Sequence, residues 1–489
     1  MDSKNEIRVL AFDLGASSGR AILGIYENGS LKIEEVHRFE NVPVHTDGHL
    51  RWNFGQLLAE VRKGIEKAES FHSVGFDTWG VDFGLVDRQG RLLEDPVHYR
   101  DERTAGICEK VFEEISAQEL YERTGNQIMP INTLFQLAAL KNECPELLEK
   151  ADRLLFMPDL FAHALCESAV CEQTIASTSQ MLDPVSKNWD KELLQKLGLP
   201  YGLLSPTVTS GTVVGELALN NSPAAKVIAV AGHDTQCAVA AIPTERDDVA
   251  FLSCGTWSLL GTELSEPVLT RESMEQELSN EVGADGKINY LKNIIGLWLI
   301  QECRRNWQEQ GCDLSFAELA EEAEKSPALR CFIDPDAEEF AAPGDMPKRI
   351  QEFCRKTGQY VPQTVGEISR CIYESLALKY RFALEQLGTV TKKSFSALHI
   401  LGGGSNAAVL CQMTADACGI PVIAGPSEAT ALGNILIQLV ALGHLPSIKD
   451  GRRLIAETQS VEYYEPQSSS KWERAYGDYL KILNLKNCL

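Results

Sequence analysis

The sequence predicts an α/β protein of two lobes in which one strand-turn-strand unit is used twice. Three observations lead there. Glycine-bearing turns follow predicted strands at residues 15, 255 and 402. The units Val9 to Gly24 and Ala250 to Gly261 look like the same element repeated. No low-complexity linker divides the 489 residues, and the cut falls near Ile242-Pro243, giving lobes 1–242 and 243–489. A hydrophobic content of 44% is enough to give each lobe a core.

Residues 8 to 26 alternate into a strand, turn at Gly15 to Gly19 and return as a second strand. Asp13 ends the first strand, where a carboxylate can reach Mg²⁺ directly or through water. Ala16, Ser17, Ser18 and Gly19 are small enough for phosphate oxygens to approach the backbone, and Arg20 can add positive charge. The segment Ser73 to Leu93 gives a strand to Asp77, a loop through Thr78, Trp79 and Gly80, and then a strand pair joined at Arg88-Gln89-Gly90. Asp77, Trp79 and Asp82 have the chemistry of polyol recognition, carboxylates for hydroxyls and an aromatic face for C–H surface. An ordinary hairpin with a core Trp fits the same pattern. Asp101 and Arg103 in YRDERT are either a surface pair or part of a loop that closes over a ligand.

Helices are expected over Ala105 to Ile115 and Asn132 to Lys150, with a short amphipathic piece at Leu182 to Leu199. At Val227 to Ala231 a strand breaks at Gly232 and delivers His233, Asp234 and Thr235 to a helix starting near Gln236. An aspartate at that place serves either as a helix cap or as a base for a hydroxyl proton. Phe251 to Cys254 and Trp257 to Leu260 flank the Gly255-Thr256 turn, which is either a plain hairpin or a phosphate-sized nest of amides. Asn293 and Gln301 fall on an apolar run with a helical pattern, where each can contact a ligand or bond to backbone. Thr364 to Glu367 is a capping box ahead of a core helix. His399 to Gly425 reads strand, triple glycine, helix, strand, with Ser405 and Asn406 expected to cap the helix and Gly403 in a ligand loop. Ser427 opens a last apolar helix that ends at Gly443.

Composition narrows the partners. With 46 Lys and Arg against 69 Asp and Glu the net charge is -23 and no basic patch stands out, which argues against nucleic acid or an anionic membrane surface. A nucleotide site in such a chain must rely on local amides, helix ends and cations. No apolar run is long enough to span a bilayer, and no leader pattern precedes the first strand. The 14 cysteines include no C-x-x-C, and the closest pairs, Cys166 with Cys171 and Cys411 with Cys418, lack further ligands for a metal. Reduced thiols and a cytoplasmic setting are expected, and the sequence sets no oligomeric state, monomer or dimer.

In order along the chain, DLGASSGR, DTWGVDF, YRDERT, GHDTQCAV, SCGTWSLLG, KNIIGLWLIQE and LGGGSN resemble the FGGY carbohydrate kinases of the actin and hexokinase superfamily, from about residue 8 to 445. The resemblance implies two ribonuclease H-like domains of the actin/hexokinase type with a central interdomain cleft. The N-terminal domain would carry sugar and base, the C-terminal one nucleotide. It implies Asp234 as catalytic base, and Gly80, His233, Thr235 and Asn293 as sugar contacts. For ATP it points to Ala16 through Arg20, Thr256, Gln301 and Gly403, with Mg²⁺ on the phosphate tail. The implied substrate is L-rhamnulose, phosphorylated at O1. Fuculose-acting members share GHDTQ and GTW but not DTWGVDF or KNIIGLW, and L-fuculose is the alternative. Outside the kinases, a sugar-responsive regulator on the same fold and an assembling ATPase are the rivals.

Overall fold

The computed structural model describes residues 6–220, 222–467 and 469–485. It divides into two compact units. One comprises residues 1–245, 263–290 and 429–459, the other 246–262, 291–428 and 460–489. The chain thus first crosses between Glu245 and Arg246, and two later segments fold back into the first unit.

The first unit is built on a six-stranded sheet formed by β1 (Ile7–Leu14), β2 (Ser18–Glu27), β3 (Ser30–Glu40), β4 (Ser73–Thr78), β5 (Thr212–Leu217) and β6 (Ala225–Ala229). Its order is β5-β6-β4-β1-β2-β3. β1, β2 and β3 form an antiparallel meander, while β4 and β6 add in parallel beside β1. Val9, Leu10, Ala11 and Phe12 are all fully buried, as a strand covered on both faces requires.

A second sheet repeats the plan. It uses β7 (Val249–Cys254), β8 (Trp257–Leu264), β9 (Ser279–Val282), β10 (Ile288–Ile295), β11 (Ala397–Leu401), β12 (Val422–Ala424) and β13 (Glu462–Tyr464). The order is β9-β10-β8-β7-β11-β12-β13. β7 and β8 are an antiparallel hairpin, and β11 and β12 add in parallel beside β7. The pattern matches β2, β1, β4 and β6 strand for strand, so the duplication expected from the sequence is present. The capping box at Thr364 and Glu367 opens the 27-residue helix Val365–Thr391, also as expected.

Several elements depart from expectation. Pro145 divides the helix expected over 132–150 into Thr133–Glu143 and Pro145–Lys150, because proline starts a helix but cannot continue one. Most of 182–199 is not helical. A two-strand ribbon, Leu182–Asp183 with Asn188–Trp189, precedes the short helix Lys191–Lys196. After the turn at Gly90 the chain makes only a single bridge to Phe83–Val86, whose true partner is Arg153–Phe156. Gly296 splits the run around 290–311. Asn293 therefore lies on strand β10, and only Gln301 is helical, in Trp298–Glu309. Ser405 does not cap helix Ala408–Cys418; its Oγ donates to the Gly402 carbonyl at 2.7 Å and closes the glycine turn. No helix among the described residues is long and apolar enough to cross a membrane.

Candidate active site

The first unit gathers three loops at the carboxyl ends of β1, β4 and β6. Asp13 and Asp77 are paired neighbours in the parallel register of β1 with β4. Just beyond, Thr78 bridges His233, and the Thr78 N–H donates to the Gly232 carbonyl at 2.9 Å. That contact places the loop carrying Gly80 beside the loop carrying His233, Asp234 and Thr235. Val81 follows with φ of 66°, an uncommon conformation for a β-branched residue, held by its N–H donating to Thr178 Oγ1 at 3.1 Å. A Cβ on Gly80 would lie 3.2 Å from Thr178, so the loop has little room for a larger residue.

Asp234 is the first residue of helix Asp234–Ala240, one position later than a cap. His233 is the cap residue and makes no side-chain capping bond. The Asp234 carboxylate therefore sits at the positive end of the helix with 32% of its side chain exposed, open to an incoming group. Its carboxyl is pushed up to about 6, chiefly by desolvation from the protein packed around it; the His233 imidazole opposes that push and Asp13 adds to it. At the helix's other end, Arg452 donates to the Val239 and Ala240 carbonyls at 3.0 and 3.3 Å and pairs with Glu263.

His233 shares a hydrogen bond with Glu281 through Nδ1 at 2.9 Å, while its Nε2 lies 3.4 Å from Asp234 Oδ1. Behind it, Glu172 is fully enclosed and accepts from the N–H groups of Gly232, Thr174 and Ile175. Glu172 and Glu281 are residues that sequence reasoning missed. Neither carries a signal in the sequence: Glu281 stands in Ser279–Val282 behind Ser279 and Asn280, a run that reads as polar and exposed although the whole strand is buried.

Two expected sugar contacts are corrected. Asp77 is fully buried; its Oδ2 accepts from Asn434 at 2.7 Å, and Oδ1 has no hydrogen-bond partner among the described residues. That burial places it beneath the site, away from a ligand; burial, then the charge of Asp13, raise its carboxyl well above the usual range. Trp79 keeps only 6% exposure, stacks 4.1 Å from Trp52 and donates Nε1–H to Asp82 at 3.0 Å. Asp82 is closed too, accepting from Trp52, Trp79, Gln136 and the Tyr99 amide. This trio is a buried polar core. Nor are Asp101 and Arg103 a surface pair. Asp101 accepts from the Leu50 amide at 2.7 Å, and Arg103 turns inward to Gln136 at 2.6 Å.

The β1–β2 hairpin presents Ala16, Ser17 and Ser18 at its tip, where Ser17 is exposed. Asn41 pins the tip by donating Nδ2–H to the Gly15 carbonyl at 3.0 Å. Arg20 pairs with Asp13 through a short contact, so its charge is directed at that carboxylate. Asp13 is 5% exposed, and its carboxylate oxygens are the donor type that would fit a hard divalent cation held through water.

In the second unit, Thr256 Oγ1 donates to Gln301 Oε1 at 3.3 Å. The Thr256 and Gly255 carbonyls accept the N–H groups of Gly296, Trp298 and Leu297, which ties the β7–β8 turn to the start of helix Trp298–Glu309. The glycine loop lies against the same turn. A Cβ at Gly404 would meet Cys254 Sγ at 2.2 Å, whereas one at Gly403 would meet nothing within 4 Å. The close approach is thus to the protein's own strand, and Gly403 is the residue left open. Thr256, Gln301 and Gly403 belong to one neighbourhood.

The second unit also brings the sulfurs of Cys331, Cys354 and Cys371 within 4.8 Å of one another, all buried. Chain spacing gave no sign of them. Glu367 and Glu374 line the same small cavity as Cys331 and Cys371, but their oxygens are taken by the amides of Gln363, Thr364 and Leu329 and by Arg370. No carboxylate is left to complete a metal shell, and the trio is explained as shared thiol hydrogens in a core.

Residues 8–241 match the N-terminal domain, and residues 250–442 the C-terminal domain, of the FGGY family of carbohydrate kinases. A rhamnulokinase of Bacteroides thetaiotaomicron is 43% identical over 98% of this chain and 99% of its own length. Rhamnulokinases of Enterococcus faecalis and Bacillus subtilis are 42% and 40% identical over 93% and 94% of this chain, and 94% and 95% of their own lengths. Among solved structures, the gluconate kinase of Lactobacillus acidophilus superimposes with a TM-score of 0.79 at 17% identity, covering 98% of both chains. The glycerol kinase of Plasmodium falciparum with ADP superimposes with a TM-score of 0.75 at 14% identity over 99% of each. At such identities these two establish the fold alone. With both family domains matched and full-length relatives above 40% identity, the chain belongs to the FGGY family of carbohydrate kinases.

Proposed function

We propose that this carbohydrate kinase transfers the γ-phosphoryl group of ATP to O1 of L-rhamnulose, with Asp234 as the base. The single observation that carries the base assignment is a half-open carboxylate at the N-terminal end of a helix, the only member of the Asp13, Asp77 and Asp234 group that an incoming ligand can reach. The ketose identity rests on the relatives named rhamnulokinase.

In this reading the sugar lies against Gly80, His233 and Thr235, with Asn293 as a further contact, and its O1 hydroxyl faces Asp234. The carboxylate takes the hydroxyl proton as the oxygen attacks phosphorus. Such a base contributes about 10²- to 10⁴-fold, and positioning with charge stabilisation supplies most of the remainder. Thr256, Gln301 and Gly403 hold the nucleotide, and the amides of Ala16 to Gly19 meet phosphate oxygens. Mg²⁺, bound with ATP and held by Asp13 through water, would neutralise phosphate charge.

A base must be ionised to act, so kcat/KM for sugar should rise tenfold per pH unit below about 6 and level off above it, following the raised carboxyl of Asp234. A pH profile in a coupled ADP-release assay checks this; a limb near pH 4 instead would contradict the burial of the base. Thr256→Val removes one hydroxyl from the nucleotide neighbourhood and should raise KM for ATP about five- to tenfold while KM for sugar stays put. A panel of L-rhamnulose, L-fuculose, L-xylulose and glycerol fixes the acceptor, and a clear preference for L-fuculose overturns the ketose assignment.

A further inference from the structure

Glu281 lies on β9, within the first unit, at 4% exposure. One of its oxygens, Oε2, receives both His233 Nδ1 at 2.9 Å and Gln236 Nε2 at 2.7 Å. Gln236 is held in turn by Asn289, whose Nδ2 donates to Gln236 Oε1 through a short contact. A carboxylate only accepts, so the ring nitrogen facing Glu281 carries hydrogen and the imidazole cannot flip. Nε2 is left pointing at Asp234 Oδ1, 3.4 Å away. Carboxylate, imidazole and carboxylate therefore stand in a line that ends on the exposed member.

We propose that Glu281 is a positioning residue which, through His233, keeps Asp234 ionised and oriented for proton abstraction. The inference rests on Asp234 being the base. It supplies what burial alone withholds. Desolvation favours the neutral acid at Asp234, and the charge of Asp13 favours it further. The His233 imidazole is the largest opposing influence and hydrogen bonds from Thr235 add to it, while Arg20 is paired with Asp13. Burial by itself would discharge that imidazole, but the charge and hydrogen bond of Glu281, with Asp234 and Glu172 adding to them, outweigh it and raise the imidazole's pKa. Gln236 and Asn289 then act to hold Glu281 rather than to touch a ligand, and both are buried.

The test uses the full chain, L-rhamnulose and ATP, with kcat/KM measured across pH 5 to 9. Glu281→Gln keeps the shape but removes the charge. The acidic limb should move up by about one pH unit, so that the rate falls about fivefold at pH 6 and less than twofold at pH 8.5. Glu281→Asp keeps the charge and should restore most of the loss at pH 6. A loss of equal size at every pH, or an unmoved limb, overturns the proposal and leaves Glu281 a packing residue. Should Glu281→Gln fail to fold, nitrogen-15 imidazole spectra of the unaltered chain decide. One of its nine histidines must keep both ring nitrogens protonated above pH 7 and shift when sugar is added; its absence overturns the proposal. Asp234→Asn separates the two readings. If that variant keeps its turnover, the base assignment falls; if it is inactive while the limb of Glu281→Gln stays in place, only the role of Glu281 falls.

Discussion

Asp234→Asn should lower kcat by about 10²- to 10⁴-fold with L-rhamnulose as acceptor, while KM for ATP changes little. The amide is almost the same size and keeps an oxygen for the Thr235 amide, which now donates to Oδ1 at 2.5 Å. Folding should therefore survive, and a thermal melt alongside the ADP-release assay checks that it does. What is lost is the lone pair that accepts the hydroxyl proton. The residual rate, still above the reaction in water, comes from positioning and from charge held on the phosphates. A variant that turns over like the parent would show that the carboxylate serves only the helix end, worth about 0.3–1 kcal/mol.

Gly433→Ala should cost about 3 kcal/mol or more, at the upper end of overpacking effects, and lower the melting temperature by roughly 5–10 °C. Helix Ala429–Ala441 crosses helix Asp234–Ala240 so closely that a Cβ at Gly433 would lie 1.8 Å from the Cys237 carbonyl oxygen. A backbone atom cannot turn aside as a side-chain tip can, so the two helices must separate. That movement shifts Asp234, which stands on the first turn, and sugar KM should rise along with the loss of stability. Calorimetry and steady-state kinetics on the same preparation separate this from a purely thermal effect. Gly477→Ala, where a Cβ would meet nothing within 4 Å, is the control.

What the sequence disclosed was local. Hairpins at 15 and 255 and the capping box at Thr364 announce themselves within a few residues, because turn chemistry and capping act over that range. The motif strings also mark Gly80, Asp234, Thr256, Gln301 and Gly403, and the structure sets Gly80 beside the Asp234 loop and Thr256 against Gln301. The misreadings share one cause. Asp77 and Trp79 sit beside a ligand loop in the sequence, but whether a side chain faces out or in depends on Asn434 and Trp52, which are far along the chain. The apolar pattern runs on through Gly296 and makes Asn293 look helical, although it lies on β10. Glu172, Glu281 and the Cys331, Cys354 and Cys371 trio owe their surroundings wholly to long-range packing, which no spacing rule encodes.

The helix Ala429–Ala441 belongs with strands that were made far earlier: its Asn434 and Gln438 reach the Gly75 and Leu10 carbonyls, 359 and 428 residues back, in the centre of the first sheet. During synthesis those strands must wait for their last layer. At about 5–20 residues per second, the interval between residues 245 and 459 is on the order of 10–40 s. Through that interval Ile22, Gly24 and their neighbours on the nascent sheet present uncovered apolar surface. A chain cut ahead of residue 429 should therefore lack the last layer of its first sheet and associate through that uncovered face.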